Sequence, residues 1–238
     1  MGSGICISGK GTGMVEIVYE DKAVIVCHKM AGMAVQTARP GEKDMVSELK
    51  NYLAQAKGGV PYLGVIHRLD QPVEGLIVFA KNAAAAAALS AQVQQGGGMH
   101  KEYLARIFGH LPQEKGRLED HLIKDKGSNL SRVVSEGTKD AKKAVLEYIK
   151  LDSTQETELL RILLHSGRHH QIRVQLSSRN APVLGDTRYG SEEAVSYAKE
   201  QGINRLCLIA ACLEFDHPVS GARQRFELGR DIVKNPFI

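Results

Sequence analysis

Apolar and polar positions begin to alternate at Val15. Val15 to Tyr19, a polar break at residues 20–22, and Ala23 to His28 read as two strands joined in a hairpin. Residues 43–56 switch to helical spacing, with Met45, Val46, Leu49 and Leu53 sharing one face. A strand follows at Leu76 to Phe79, and Asn82 then caps an alanine-rich helix that runs to Gln95 and stops at Gly96 to Gly98. From Lys101 to Phe108 the period returns to two, placing Tyr103, Ala105 and Ile107 on one face and Leu104, Arg106 and Phe108 on the other. Residues 112–141 are polar and charge-mixed and read as loop. Strands are expected again at 144–151 and 158–164. A helix is expected from about His169, on which Ile172 and Leu176 lie four apart. A closing hairpin spans 206–228 around His217-Pro218. Strands outnumber helices, which predicts an α+β fold with a mixed, largely antiparallel sheet flanked by helices. Residues 1–13, rich in glycine and serine, are expected to form a disordered leader, with Met14 an alternative start, and 14–238 a single domain.

The composition narrows the class. A chain of 238 residues with 43% hydrophobic composition supports a substantial core, and no apolar run approaches the roughly 20 residues of a membrane-spanning helix. With no basic-then-apolar leader, the cytoplasm is the expected location. Cys6, Cys27, Cys207 and Cys212 form no CxxC pair, so no metal site and no disulfide framework is expected, and Cys207 and Cys212 lie on an apolar stretch that predicts burial. The net charge of +4 is mild, but its placement is not. Between residues 161 and 190 five arginines (161, 168, 173, 179 and 188) face Asp186 alone, with no lysine. Arginine's fork suits phosphate or carboxylate; a plain solvated basic face is the alternative.

The candidate chemistry centres on Asp70. It stands two residues after Arg68, before a turn at Pro72 to Gly75, and between apolar segments that draw the turn onto a sheet edge. Such a carboxylate is expected in a cleft; a turn-capping aspartate is the structural alternative. A desolvated carboxylate needs a cation to stay ionised, and Arg173 is the candidate. Tyr103 offers a hydroxyl and a ring that stacks on a flat substrate, or else plain sheet packing. His67 is expected to fix the turn by hydrogen bonding. Glu74 is expected to point into solvent, and Asp186 to bond nearby backbone amides in a structural turn.

Several separated blocks resemble the RluA family of pseudouridine synthases. Val65-Ile-His-Arg-Leu-Asp70 with Gly75-Leu76 is similar to the family's HRLD segment, and Lys101-Glu-Tyr103-Leu-Ala105 to its tyrosine strand. Ser166-Gly-Arg-His-His-Gln-Ile-Arg-Val174 resembles GRTHQIRVH, and Leu208 to Gly221 resembles the closing L-x-F-x-H-P-x-T-G hairpin. His28-Lys29-Met30 stands where NKP is usual, Val73-Glu74-Gly75 where Thr-Ser-Gly is usual, and His169 where Thr is usual. The resemblance implies an RNA pseudouridine synthase with a central catalytic cleft and no cofactor or metal, acting on rRNA or tRNA as a monomer. Asp70 would be the essential carboxylate, Arg173 its ion partner, and Tyr103 the stacking and proton-handling residue. Arg68 would fill the gap left by the flipped base, and His67, Lys101, Arg168 and His170 would complete the RNA-binding set. With no S4-type RNA-binding domain expected ahead of the core, choice of uridine would rest on this domain or a partner. Two rival functions are a catalytically silent RNA-binding protein of the same fold and a glycosidase that releases uracil.

Overall fold

A computed structural model describes residues 10–11, 15–39, 41–57, 59–94, 96–125, 127–229 and 237. In chain order the elements are β1 (Lys10–Gly11), β2 (Val15–Glu20), β3 (Val24–Lys29), α1 (Met45–Lys57), β4 (Gly64–Val65), β5 (Glu74–Ala80), α2 (Ala83–Val93) and β6 (His100–Phe108). They continue with β7 (Lys115–Lys124), β8 (Ser131–Val134), β9 (Lys142–Ser153), β10 (Thr157–Leu164), α3 (Gln171–Ser177), α4 (Glu192–Glu200), β11 (Leu208–Asp216) and β12 (Arg223–Glu227). The chain divides into two compact units, Met1–His100 with Ala210–Lys234, and Lys101–Ile209 with Asn235–Ile238.

In the first unit the strands run in the order β1, β2, β3, β5, β11, with β4 paired to β5 and β12 to β11. The expected hairpin forms, Ile17 opposite Cys27, and β3 continues antiparallel into β5 with Cys27 opposite Ile77. Every residue of β3 and β5 is buried, which accounts for their near-continuous apolar composition. Helix α1 starts where Asp44 accepts from the Ser47 amide at 2.7 Å, and α2 where Asn82 accepts from the Ala85 amide at 2.8 Å. Most of the expected leader lies outside the described residues; Lys10 and Gly11 within it pair with β2.

In the second unit the order is β6, β10, β9, β7, β8, antiparallel at each step. The loop expected over 112–141 is overturned here, because β7 and β8 occupy much of it. Their sequence is polar because only a few side chains turn inward. Leu118 and Leu122 are buried, and Leu122 packs with Ala144 and Val174 against Val133 and Tyr189. Pairing with β9 supplies the backbone partners that the side-chain pattern does not advertise. Helix α3 begins at Gln171, two residues later than expected, because His170 adopts the left-handed conformation at φ 53° and interrupts the helix there. Helix α4 opens on Ser191, whose hydroxyl accepts from the Ala194 amide.

Candidate active site

The segment carrying Asp70 connects β4 to β5. The Val73 amide donates to the Asp70 carbonyl at 3.0 Å, closing the turn. Behind it lies Lys29, at the end of β3, with no exposed surface. Its ammonium donates to the carbonyls of Met33 (2.7 Å), Gln71 (2.9 Å) and Met30 (3.1 Å), one partner for each proton. Gly32 and Gln71 add a reciprocal pair, the Gly32 amide to the Gln71 carbonyl at 2.9 Å and the Gln71 side chain to the Gly32 carbonyl at 3.0 Å. Burial pulls the Lys29 ammonium down to about 8, against the opposing pull of the Asp70 and Glu74 carboxylates. Lys29 is therefore a cation placed beside Asp70, and its role was not apparent from the residues alone. A lysine after a strand reads as an ordinary strand-end charge unless its burial is known.

His67 is half-buried, and its Nε2 accepts from the Val78 amide at 3.3 Å, so it ties the turn to β5 as expected. Arg68 is exposed. Gly75 has φ 136°, and a Cβ there would collide with the backbone of Ala210. Its glycine is thus required for β5 to pass this close to β11.

Glu74 does not face solvent. It is 9% exposed, and its carboxylate meets Nε2 of His28 at 3.0 Å. Nδ1 of the same ring meets Glu16 at 3.2 Å. The expectation failed because Glu74 is the first residue of β5, a strand buried along its whole length, and lies two residues from Leu76, the partner of His28 on β3. Burial pushes the His28 ring down, but the bonds and charges of Glu74 and Glu16 outweigh it and leave the ring above the ordinary histidine value.

The second unit holds Tyr103, Arg173, Lys101, Arg168 and His170. Tyr103 lies on β6, 6% exposed. Arg173, on α3, makes a two-pronged ion pair with Asp186, Nε to Oδ2 at 2.7 Å and Nη2 to Oδ1 at 2.8 Å, and both side chains are buried. The guanidinium also lies 5.0 Å from the Tyr189 ring centroid. Oδ1 of Asp186 accepts from the Arg188 and Tyr189 amides, the turn role expected of it, while its service to Arg173 was not foreseen. The spacing of thirteen residues across a loop gives no periodic signal for that pair.

Helix α3 is fixed by a buried polar chain. Gln171 donates to the Val145 carbonyl at 3.1 Å and accepts from Ser166 Oγ at 2.9 Å, and Ser166 Oγ accepts from the Val145 amide at 2.8 Å. His169 and His170 stack with centroids 3.7 Å apart. Nδ1 of His169 meets Ser131 Oγ at 2.9 Å, and Nδ1 of His170 meets the Tyr189 hydroxyl at 2.8 Å. Nε of Arg168 donates to the Lys143 carbonyl at 2.8 Å. Lys101 is 7% exposed, and burial lowers its ammonium below the usual lysine value. Cys27, Cys207 and Cys212 are buried free thiols, as expected for the last two.

Residues 23–178 match the family described as RNA pseudouridylate synthase. Ribosomal large subunit pseudouridine synthase D of Zymomonas mobilis is 34% identical over 223 residues, covering 90% of this chain and 68% of that protein. The dual-specificity RNA pseudouridine synthase RluA of Vibrio parahaemolyticus is 34% identical over 211 residues, covering 86% of this chain and 79% of that one. Among solved structures, human RNA pseudouridylate synthase domain containing 4 superposes with a TM-score of 0.73 at 23% identity, covering 91% of this chain and 90% of that chain, which shows the α+β fold. The chain accordingly belongs to the RNA pseudouridylate synthase family and is an RluA-type isomerase that acts on RNA.

Proposed function

We propose that Asp70 is the essential carboxylate of the isomerisation and that Tyr103 and Arg173 serve the same uridine. The observation that carries this is the buried Lys29 ammonium, which grips the Gln71 carbonyl and sits in the field of Asp70. A protein rarely buries a lysine behind a turn without a negative charge to answer it. In the reaction the C1′–N1 bond breaks, the uracil rotates, and a C1′–C5 bond forms; N1 gains a proton and C5 loses one. The base must leave its stack for both ring positions to meet one carboxylate in turn. Arg68, exposed beside the turn, is suited to fill the vacated space. By the resemblance Arg173 would be the ion partner of Asp70, and the grip of Asp186 presets the guanidinium's orientation. Lys101, Arg168, His67 and His170 complete the RNA-binding set with Arg68. The ribosomal large subunit in the name of the Zymomonas relative makes rRNA the first substrate to test and tRNA the second.

The experiment uses RNA tritiated at uridine C5. Tritium released to water without free uracil is the expected result, and Asp70→Asn is expected to lower the rate by about a thousandfold or more. An Asp70→Asn enzyme that keeps its turnover overturns the assignment. Free tritiated uracil with no tritium passed to water identifies a glycosidase instead.

A further inference from the structure

Lys101, the second residue of β6, is 7% exposed, and burial lowers its ammonium below the usual lysine value with no neighbouring charge opposing it. Among the described residues no carboxylate, carbonyl or hydroxyl is bonded to it. A surface lysine keeps its head in water, and a buried one is held by an acid or, like Lys29, by carbonyls. Lys101 follows neither pattern within the described chain. Its Nζ lies beside Gly167, a loop residue that is itself exposed. A Cβ at Gly167 would meet that nitrogen at 3.6 Å and, outside the adjoining residues, no other described atom within 4 Å. The φ of Gly167 is not positive, so the backbone does not call for glycine there. What glycine supplies is room over the ammonium. Arg168 comes next in the chain; its Nε donates to the Lys143 carbonyl at 2.8 Å, and its two terminal nitrogens carry no bond among the described residues.

We propose that the Lys101 ammonium and the bare backbone of Gly167 form a seat for one phosphate of the RNA chain, with Arg168 as its outer cation. The seat rests on the RNA-binding role given to Lys101 and Arg168 above, and narrows it to a single anion and to a residue, Gly167, that carries no charge. The counter-charge for Lys101 then arrives with the ligand, and the phosphodiester is the group in RNA that is fully negative before reaction begins. Uracil oxygens gain charge only as the C1′–N1 bond breaks. An anion already present in the ground state is held equally before and during the reaction, so the seat acts on KM and leaves kcat alone. An exposed glycine lets phosphate oxygens come down to the ammonium, and a methyl group at 167 takes that space without altering any charge.

The test compares the wild type, Lys101→Met, Gly167→Ala, the double variant and Arg168→Gln on an unmodified rRNA transcript. Filter binding at several KCl concentrations gives Kd, and tritium release gives KM and kcat. Lys101→Met is expected to weaken binding about tenfold and to reduce the slope of log affinity against log salt by about one. It is also expected to be no less stable to urea, since it removes a buried ammonium that no described group answers. A lower urea midpoint with unchanged affinity makes Lys101 structural and overturns the seat. Gly167→Ala is expected to raise Kd and KM several-fold with kcat and urea midpoint unchanged, and to add nothing further to Lys101→Met, because both act on one phosphate. Wild-type affinity in Gly167→Ala, or losses that simply add, overturn the proposal, and Gly167→Ala carries the test by itself if Lys101→Met fails to fold. A fall in kcat at saturating RNA with KM unchanged in Lys101→Met assigns the ammonium to the departing base and also overturns the seat. If Lys101→Met and Arg168→Gln both bind RNA as the wild type does, the RNA-binding assignment itself fails. If both bind weakly while Gly167→Ala does not, only the seat fails.

Discussion

The two units hold their buried cations by opposite means. In the first, Lys29 is satisfied by three backbone carbonyls and its nearest carboxylates act at longer range. In the second, Arg173 is clasped in a fork by one carboxylate, Asp186, and capped by an aromatic ring. A guanidinium keeps its proton at any accessible pH, whereas an ammonium held near 8 does not. The cation near Asp70 therefore changes charge with pH, whereas the one held by Asp186 does not.

The sharpest way to break this contrast is Asp186→Ala. It removes the two-pronged partner of a buried guanidinium and the acceptor of two backbone amides, and is expected to cost about 3–5 kcal/mol of unfolding free energy by urea titration. A loss under about 1 kcal/mol, the range of an exposed pair, would mean that Arg173 is not locked by that carboxylate. Next comes Lys29. Its folded value near 8 lies below the unfolded 10.5, so between those limits the unfolded chain holds a proton the folded chain has released. The Lys29 contribution to stability therefore rises with pH across that window, while activity falls as Asp70 loses its cation. Urea midpoints of the wild type relative to Lys29→Met, followed from below 8 to above 10.5 alongside turnover, check both signs. Parallel trends in stability and activity contradict the placement of Lys29. The smallest effect is expected from Asn82→Ala, which removes the α2 cap and costs about 1 kcal/mol. Being uncharged and in the first unit, the cap is expected to give a loss that does not vary with pH, and a pH-dependent loss would show the sensitivity to be general to that unit.

Much of the fold was legible because its elements are locally consistent. The β2–β3 hairpin, the asparagine cap of α2 and the strand bearing Tyr103 each announce themselves by period or capping residue. The failures share a cause: β7 and Glu74 are each decided by a partner strand rather than by their own composition. Polar β7 becomes a strand because β9 offers it a complete ladder, and Glu74 turns inward because His28 waits across the sheet. The site was legible in its motifs but not in its supports. Lys29 lies in the block that stands where NKP is usual and Asp186 reads as a turn residue, but only burial and geometry show what each one holds. Tyr103 and Arg173 carry recognisable motif positions, but the polar chain through Ser166, Gln171 and Val145 that seats α3 joins residues more than twenty apart.

Cys27 immediately precedes the His28-Lys29 pair in a strand buried along its whole length, and burial raises its thiol far above the reactive range. A thiol reagent reaches that sulfur only when β3 detaches from the sheet. The rate of its alkylation is then a clock for local opening of the strand that supports Asp70, readable by mass spectrometry without substrate and without any substitution.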